Sequence, residues 1–261
     1  MSLKFSIITA TYNSSASIKD SIESVLKQTY ENYEHIFIDG ASTDKTIDMV
    51  TNLTDSIKDK LKIVSEPDQG IYEALNKGIK FASGDVISFL HSDDFYADEC
   101  VLKNVADKFE ESKSDSVYGD LQYVRKNNIG KIVRHWESGD FDLRKLKNGW
   151  MPPHPSFFVK KKVYKKHGDF DLSFKIAADY DFMMRVLFKG QISASYLPEV
   201  CVKMRVGGES NRSIRNVIRK TKEDFRAIKN NDLGGLSTLL CKHMRKIPQF
   251  ISQNKQKHEG L

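Results

Sequence analysis

The chain has 261 residues, 39% hydrophobic and 29% charged, which suits one large domain or one domain with an extension. It has no run of about 18 apolar residues, the length a helix needs to cross a bilayer, and "MSLKFSIITATYN" lacks the organisation of a secretory leader. The net charge of +6 is unevenly placed: residues 212–261 hold twelve Lys and Arg against four Asp and Glu, or +8, leaving −2 on the first 211, which argues against a body that follows a nucleic-acid backbone.

In chain order, "FSIITA" (5–10) reads as a buried strand, followed by a helix capped within Ser14–Ser17 whose apolar residues Ile18, Ile22, Val25 and Leu26 share one face. "EHIFIDG" (34–40) is a second strand, and Thr43 or Asp44 starts a helix reaching Leu53. "LKIVSE" (61–66) is a third strand, and Ile71, Ala74, Leu75, Gly78, Ile79 and Ala82 mark a third helix before the strand "DVISFL" (85–90). Such strand–helix alternation with short connections specifies an α/β fold with a mostly parallel sheet flanked by helices.

A helix is expected over 97–111, where Asp93 or Asp94 is a candidate cap, and strands in "DSVYGDLQYV" and "KIVRHW". "GWMPPHPSFF" (149–158) holds three of the six prolines and reads as an irregular loop or short edge strand. A helical pattern returns at 178–189. Two basic amphipathic helices close the chain, with apolar faces Ile214, Val217, Ile218, Phe225 and Ile228, then Leu236, Leu239, Leu240, Met244 and Ile247. They read either as packing elements with solvated Lys/Arg faces or as an interfacial anchor at an anionic cytoplasmic leaflet. Cys100, Cys201 and Cys241 are odd in number and far apart, as expected of reduced cytoplasmic thiols.

In parallel α/β sheets, ligands bind outside the carboxyl ends of the strands. Three polar clusters fall there: Thr11-Tyr12-Asn13, Asp39, and His91-Ser92-Asp93-Asp94. Each alone also fits a turn or cap. An acidic pair at a strand end suits a hard cation, Mg2+ or Mn2+, that bridges phosphates, whereas no second His or Cys lies at zinc spacing. Asp179, Met183, Val186 and Leu187 fall on one helical face, which aims Asp179 inward as a buried cap or a general base. Asp181 sits four residues before Arg185 as a surface pair. The absence of GxxxxGK[ST] and of GxGxxG after the first strand weakens P-loop and dinucleotide readings.

"FSIITATYNSSASIKDSIESVLKQTYENYEHIFIDGASTDKT", "SEPDQGIYEALNKGIKFASGDVISFLHSDD" and "HGDFDLSFKIAADYDFMMRV" together resemble the family 2 glycosyltransferases of GT-A fold, over roughly residues 4 to 210. The resemblance implies inverting sugar transfer from a nucleotide sugar, UDP-linked in the first instance, to an acceptor hydroxyl of a glycan or lipid-linked acceptor. It places Ala10, Tyr12, Asp39 and Asp93 at the donor nucleotide. Asp93, with Asp94 and His91 beside it, is placed at a divalent metal, and Asp179 is the base. His154 falls near the donor phosphates or sugar or else stabilises its loop, and "RVGGESNRS" (205–213) reads either as a lid whose Arg205 meets the diphosphate or as a plain connection. A catalytic domain over 1–211, with a nucleotide-binding half (1–95) and an acceptor-binding half (96–211), then precedes a basic helical extension over 212–261. Two departures stand out: Gly40 follows Asp39 where the family often has a second acid, and His91 takes the first position of the DxD pattern. The competing classes are a sugar-phosphate nucleotidyltransferase, which calls for a glycine-rich basic loop that "TATYNSS" is not, and a non-catalytic nucleotide-sugar binding protein.

Overall fold

The computed structural model describes residues 2–207 and 214–245. β1 (Phe5–Thr11), β2 (Tyr33–Asp39), β3 (Leu61–Ser65) and β4 (Val86–Phe89) run parallel in the order β3-β2-β1-β4. Their connections carry α1 (Ile18–Leu26), α2 (Thr46–Leu53) and α3 (Ile71–Phe81). Every residue of β1 is buried, as a strand covered on both faces requires, which is why it reads as a continuous β-branched run.

Beyond β4 the sheet changes direction. β8 (Phe157–Lys160) lies antiparallel between β4 and β6 (Ser116–Arg125). β9 (Ala194–Arg205) runs parallel to β6, and the two-residue β5 (Phe95–Tyr96) closes against β9. β7 (Asn128–Trp136) forms a hairpin with β6. The proline-rich segment therefore feeds an interior strand and not an edge strand: Pro152, Pro153 and Pro155 all precede β8, so none of the three removes a donor from its ladder. α4 (Val101–Ser112) starts later than expected. Neither Asp93 nor Asp94 caps it: the N-cap is Cys100, which makes no side-chain cap bond, and Asp98 Oδ1 accepts the Cys100 N–H at 2.8 Å in the turn before the helix.

α5 (Leu143–Lys147), α6 (Lys161–His167) and α7 (Ala178–Met184) follow, with a wider turn over Arg185–Lys189. α8 (Ile214–Asn230) and α9 (Leu236–Met244) complete the described chain. One core packs Ile8, Leu75 and Phe89 against Tyr164 and Phe182, and Ala227, Ile228, Leu233 and Leu239 from the C-terminal helices join it. On the other sheet face Phe5, Ile7 and Val202 pack on Val105 and Phe109 of α4.

The two C-terminal helices bury only part of the faces their apolar residues suggest. Thr238, Leu239 and Lys242 of α9 turn inward, and Leu236, Leu240 and Met244 turn outward. Lys242 is buried because its ammonium pairs with Asp224 of α8 at 2.7 Å and lies 3.1 Å from the centre of the Tyr180 ring. On α8, Val217 and Ile218 are exposed, whereas Asp224, Ala227 and Ile228 are buried. Ile247 and the segment 208–213 expected as a lid lie outside the described residues. Among the described residues no helix is long and apolar enough to cross a membrane.

Candidate active site

The parallel register brings the ends of β1, β2 and β3 together, with Thr11 beside Asp39 and Asp39 beside Ser65. Ala10 is buried in register with Ile38. Tyr12 is 64% exposed, an open placement for an aromatic ring. Asp39 is fully buried, and its carboxylate accepts from Ser42 N–H (2.9 Å), Ser42 Oγ (2.5 Å) and Ser65 Oγ (2.7 Å). Asp39 thereby ties the loops after β2 and β3 to the sheet edge. Ser42 Oγ also accepts the Asn13 N–H at 2.8 Å, and Asn13 Oδ1 accepts the Thr43 N–H at 2.9 Å, lacing the first two loops together. Asn13 does this at φ 47°, a left-handed conformation that asparagine tolerates.

After β4 the neighbouring carboxylates separate. Asp93 is half-buried, while Asp94 is 1% exposed. Burial, and then the charge of Asp93, holds the Asp94 carboxyl well above the usual carboxylate range, with Arg205 opposing them. Arg205 is buried beneath this turn. Its guanidinium donates to the Asp93 carbonyl at 2.6 Å, pairs with Asp20 and covers the Phe95 ring. It thus braces the Asp93 turn from below. The His91 ring lies 6.0 Å from the His154 ring, which stacks on Phe89 at 5.4 Å. Burial pushes the His154 imidazole down to about 4 and also lowers His91, overriding the pull of Asp93 and Asp179 on the latter. Among the described residues, His91 Nδ1 and His154 Nε2 are buried without hydrogen-bond partners.

Asp179 opens onto the same cluster from the first turn of α7. Its Oδ1 lies 3.0 Å from the Tyr72 hydroxyl, whose one hydrogen is shared between Asp179 and the Ile176 carbonyl at 2.7 Å. Burial alone would raise its pKa; His154, Lys220, the Tyr180 N–H and Lys242 outweigh burial and hold it below the usual range. Lys220 and Lys242 belong to α8 and α9. Glu223, one turn beyond Lys220, accepts the N–H groups of Lys175 (3.0 Å), Ile176 (2.8 Å) and Ala177 (3.0 Å), and so fixes the segment that enters α7. Sequence periodicity separated Asp179 from Asp181 but misplaced the latter. Asp181 pairs with Arg185 at 3.5 Å as expected, yet it is 5% exposed, because Asn231 after α8 covers it and donates to it at 2.9 Å. Tyr72, Lys220 and Glu223 escaped the sequence reading because their roles depend on contacts between distant segments.

The donor atoms near Asp93 fit a divalent ion completed by ligands from outside the protein. Among the described residues no three His, Cys, Asp or Glu side chains close on one point. One half-buried carboxylate does stand beside the unpartnered His91 Nδ1 and Asp94 Oδ1. Mg2+ in particular is commonly bound through one or two carboxylates, water and substrate phosphates.

A half-parallel sheet with an acidic turn after β4 and a carboxylate entering from the far half is an architecture of GT-A type. The chain is similar to the TarS 1–349 fragment of S. aureus solved in complex with UDP-GlcNAc (TM-score 0.70, 21% identity, 88% of this chain and 65% of that one). It is also similar to the mannosyltransferase PcManGT of Pyrobaculum calidifontis in complex with GDP-Man and Mn2+ (TM-score 0.67, 19% identity, 93% and 69%). A PGL/p-HBAD biosynthesis glycosyltransferase of Mycobacterium bovis is 32% identical over 209 residues, 79% of each chain. The sequence profile of glycosyl transferase family 2 matches residues 6–177, and the chain belongs to that family. It is a glycosyltransferase.

Proposed function

We propose that the protein transfers a sugar from a nucleoside-diphosphate sugar, with uridine as the base, to a hydroxyl of a glycan or lipid-linked acceptor, with inversion at the anomeric carbon. The observation that carries this reading is Asp179: a carboxylate kept ionised within a largely buried cluster, hydrogen-bonded by Tyr72 and facing the His91–His154 pair that joins it to Asp93. In the reaction the acceptor oxygen attacks the anomeric carbon and its proton passes to Asp179. The bond from that carbon to the diphosphate breaks, with the electron pair leaving on the phosphate oxygen. Asp93, with His91 and Asp94 beside it, would hold Mg2+ or Mn2+, which supplies positive charge against the leaving diphosphate. Solved relatives of this fold that hold UDP-GlcNAc, or GDP-Man with Mn2+, support a nucleotide-sugar donor.

The acceptor is presented at the cytoplasmic face of a membrane, against the exposed Leu236, Leu240 and Met244 of α9 and the basic residues of α8. Calorimetry with UDP, with and without Mn2+, combined with turnover of UDP-sugars, tests the catalytic reading. Asp93→Ala is expected to lose the metal-dependent part of UDP binding. Asp179→Asn is expected to keep UDP affinity and lose about 10²–10⁴ of kcat. An Asp179→Asn enzyme with normal turnover refutes the assignment of the base.

A further inference from the structure

Gly40 is the position where the family resemblance leads one to expect an acid, and the space beside it is already taken. A Cβ at residue 40 would lie 2.8 Å from Oδ2 of Asp68 and 3.4 Å from Cδ2 of Tyr12. Asp68 comes from the loop between β3 and α3. Its Oδ1 accepts the Gly70 N–H at 2.8 Å, the turn-stabilising bond that aspartate favours in loops. Oδ2 accepts no hydrogen bond among the described residues and faces the gap left by glycine, next to the exposed Tyr12 ring. The loops that converge here are tied at their roots: the Gly40 N–H donates to Thr11 O at 2.9 Å and the Glu66 N–H to Asp39 O at 3.0 Å. The carboxylate absent after β2 is thus supplied in space from the loop after β3.

We propose that Asp68 selects the base of the donor, its free Oδ2 accepting the N3–H of a uracil ring stacked on Tyr12. The proposal rests on the nucleotide-sugar reading above and names its base. A carboxylate oxygen acts only as an acceptor. Uracil offers it one N–H between two carbonyls, while cytosine places a lone pair at that nitrogen and is repelled. Guanine offers two adjacent N–H donors that call for both oxygens, and Oδ1 is engaged by Gly70. Gly40 is required because even a methyl group there would displace Oδ2.

Calorimetric titration of the full chain with UDP, CDP and GDP in the presence of Mn2+ tests this. The wild type is expected to favour UDP. Asp68→Ala should weaken UDP binding by about 10- to 100-fold, the range for one charge-assisted hydrogen bond. Asp68→Asn should bring the CDP and UDP affinities together, because an amide can turn to donate to cytosine. Gly40→Ala should weaken UDP binding with an unchanged melting temperature, since the backbone at 40 is not left-handed and the clash falls on the end of a flexible side chain. UDP binding unchanged in Asp68→Ala, an equal loss for UDP and CDP, or tighter binding of GDP by the wild type each overturns the inference while leaving the transferase reading in place. A wild type that binds none of the three overturns both.

Discussion

The Asp179 carboxylate stands among groups of opposite effect drawn from four segments of the chain. Tyr72 of α3 donates to it, and His154 and Lys220 oppose the cost of its burial, as does the more distant Lys242. A general base must be deprotonated to act, so turnover falls as pH drops through its pKa, and a depressed pKa places that acidic limb at low pH. Lys220→Met removes one of the charges that depress it. The acidic limb of kcat/KM is therefore expected to move to higher pH, with activity on the alkaline side of the limb retained. Lys220→Arg should keep the wild-type profile. An unmoved limb in Lys220→Met would show that the Lys220 charge does not reach the base. Helical periodicity, which is local, aimed Asp179 inward in the sequence reading, and the family resemblance named it as the base. Neither identified Lys220, 41 positions later, because only the packing of α8 on α7 brings the two together.

At the scale of elements, one side chain of α8 holds the segment that enters α7. Glu223 satisfies the backbone N–H groups of Lys175, Ile176 and Ala177, just ahead of the turn that presents Asp179. Glu223→Gln keeps the shape and removes the charge. It is expected to lower kcat by about tenfold, in line with loss of charge assistance to these bonds, while UDP affinity stays unchanged. Equal loss of kcat and nucleotide affinity would indicate general disruption instead. Elements set by local pattern were legible: β1, β2, β3 and β4 and the intervening helices fall within a few residues of expectation. Those set by pairing were not. β9 carries Pro198 beside a register irregularity against β6, and β5 spans only two residues, so neither has a strand signal of its own. The helix faces of α8 and α9 were misread in part for a related reason. A buried Lys242 paired with Asp224 reverses the face that hydrophobicity assigns.

At the scale of the whole molecule, the surface of α9 bears on where the protein works. Leu236, Leu240 and Met244 are 66%, 64% and 65% exposed and follow one another at four-residue spacing, near the exposed Arg245. Replacing all three by serine alters no buried contact, so the fold is expected to be retained. Co-sedimentation with phosphatidylglycerol vesicles should fall by roughly tenfold or more, because interfacial binding scales with inserted apolar area. Vesicles of phosphatidylcholine alone should bind weakly in either case, and binding that survives the triple replacement removes this face as the contact. The docking of α8 onto α7 also has a consequence in time. During synthesis the loops that meet the nucleotide and the carboxylate that takes the proton emerge well before Glu223 and Lys220. On the proposed reading, the parts that meet the donor are therefore made before those that orient the base, and the core is completed only when Ala227, Ile228 and Leu239 join it.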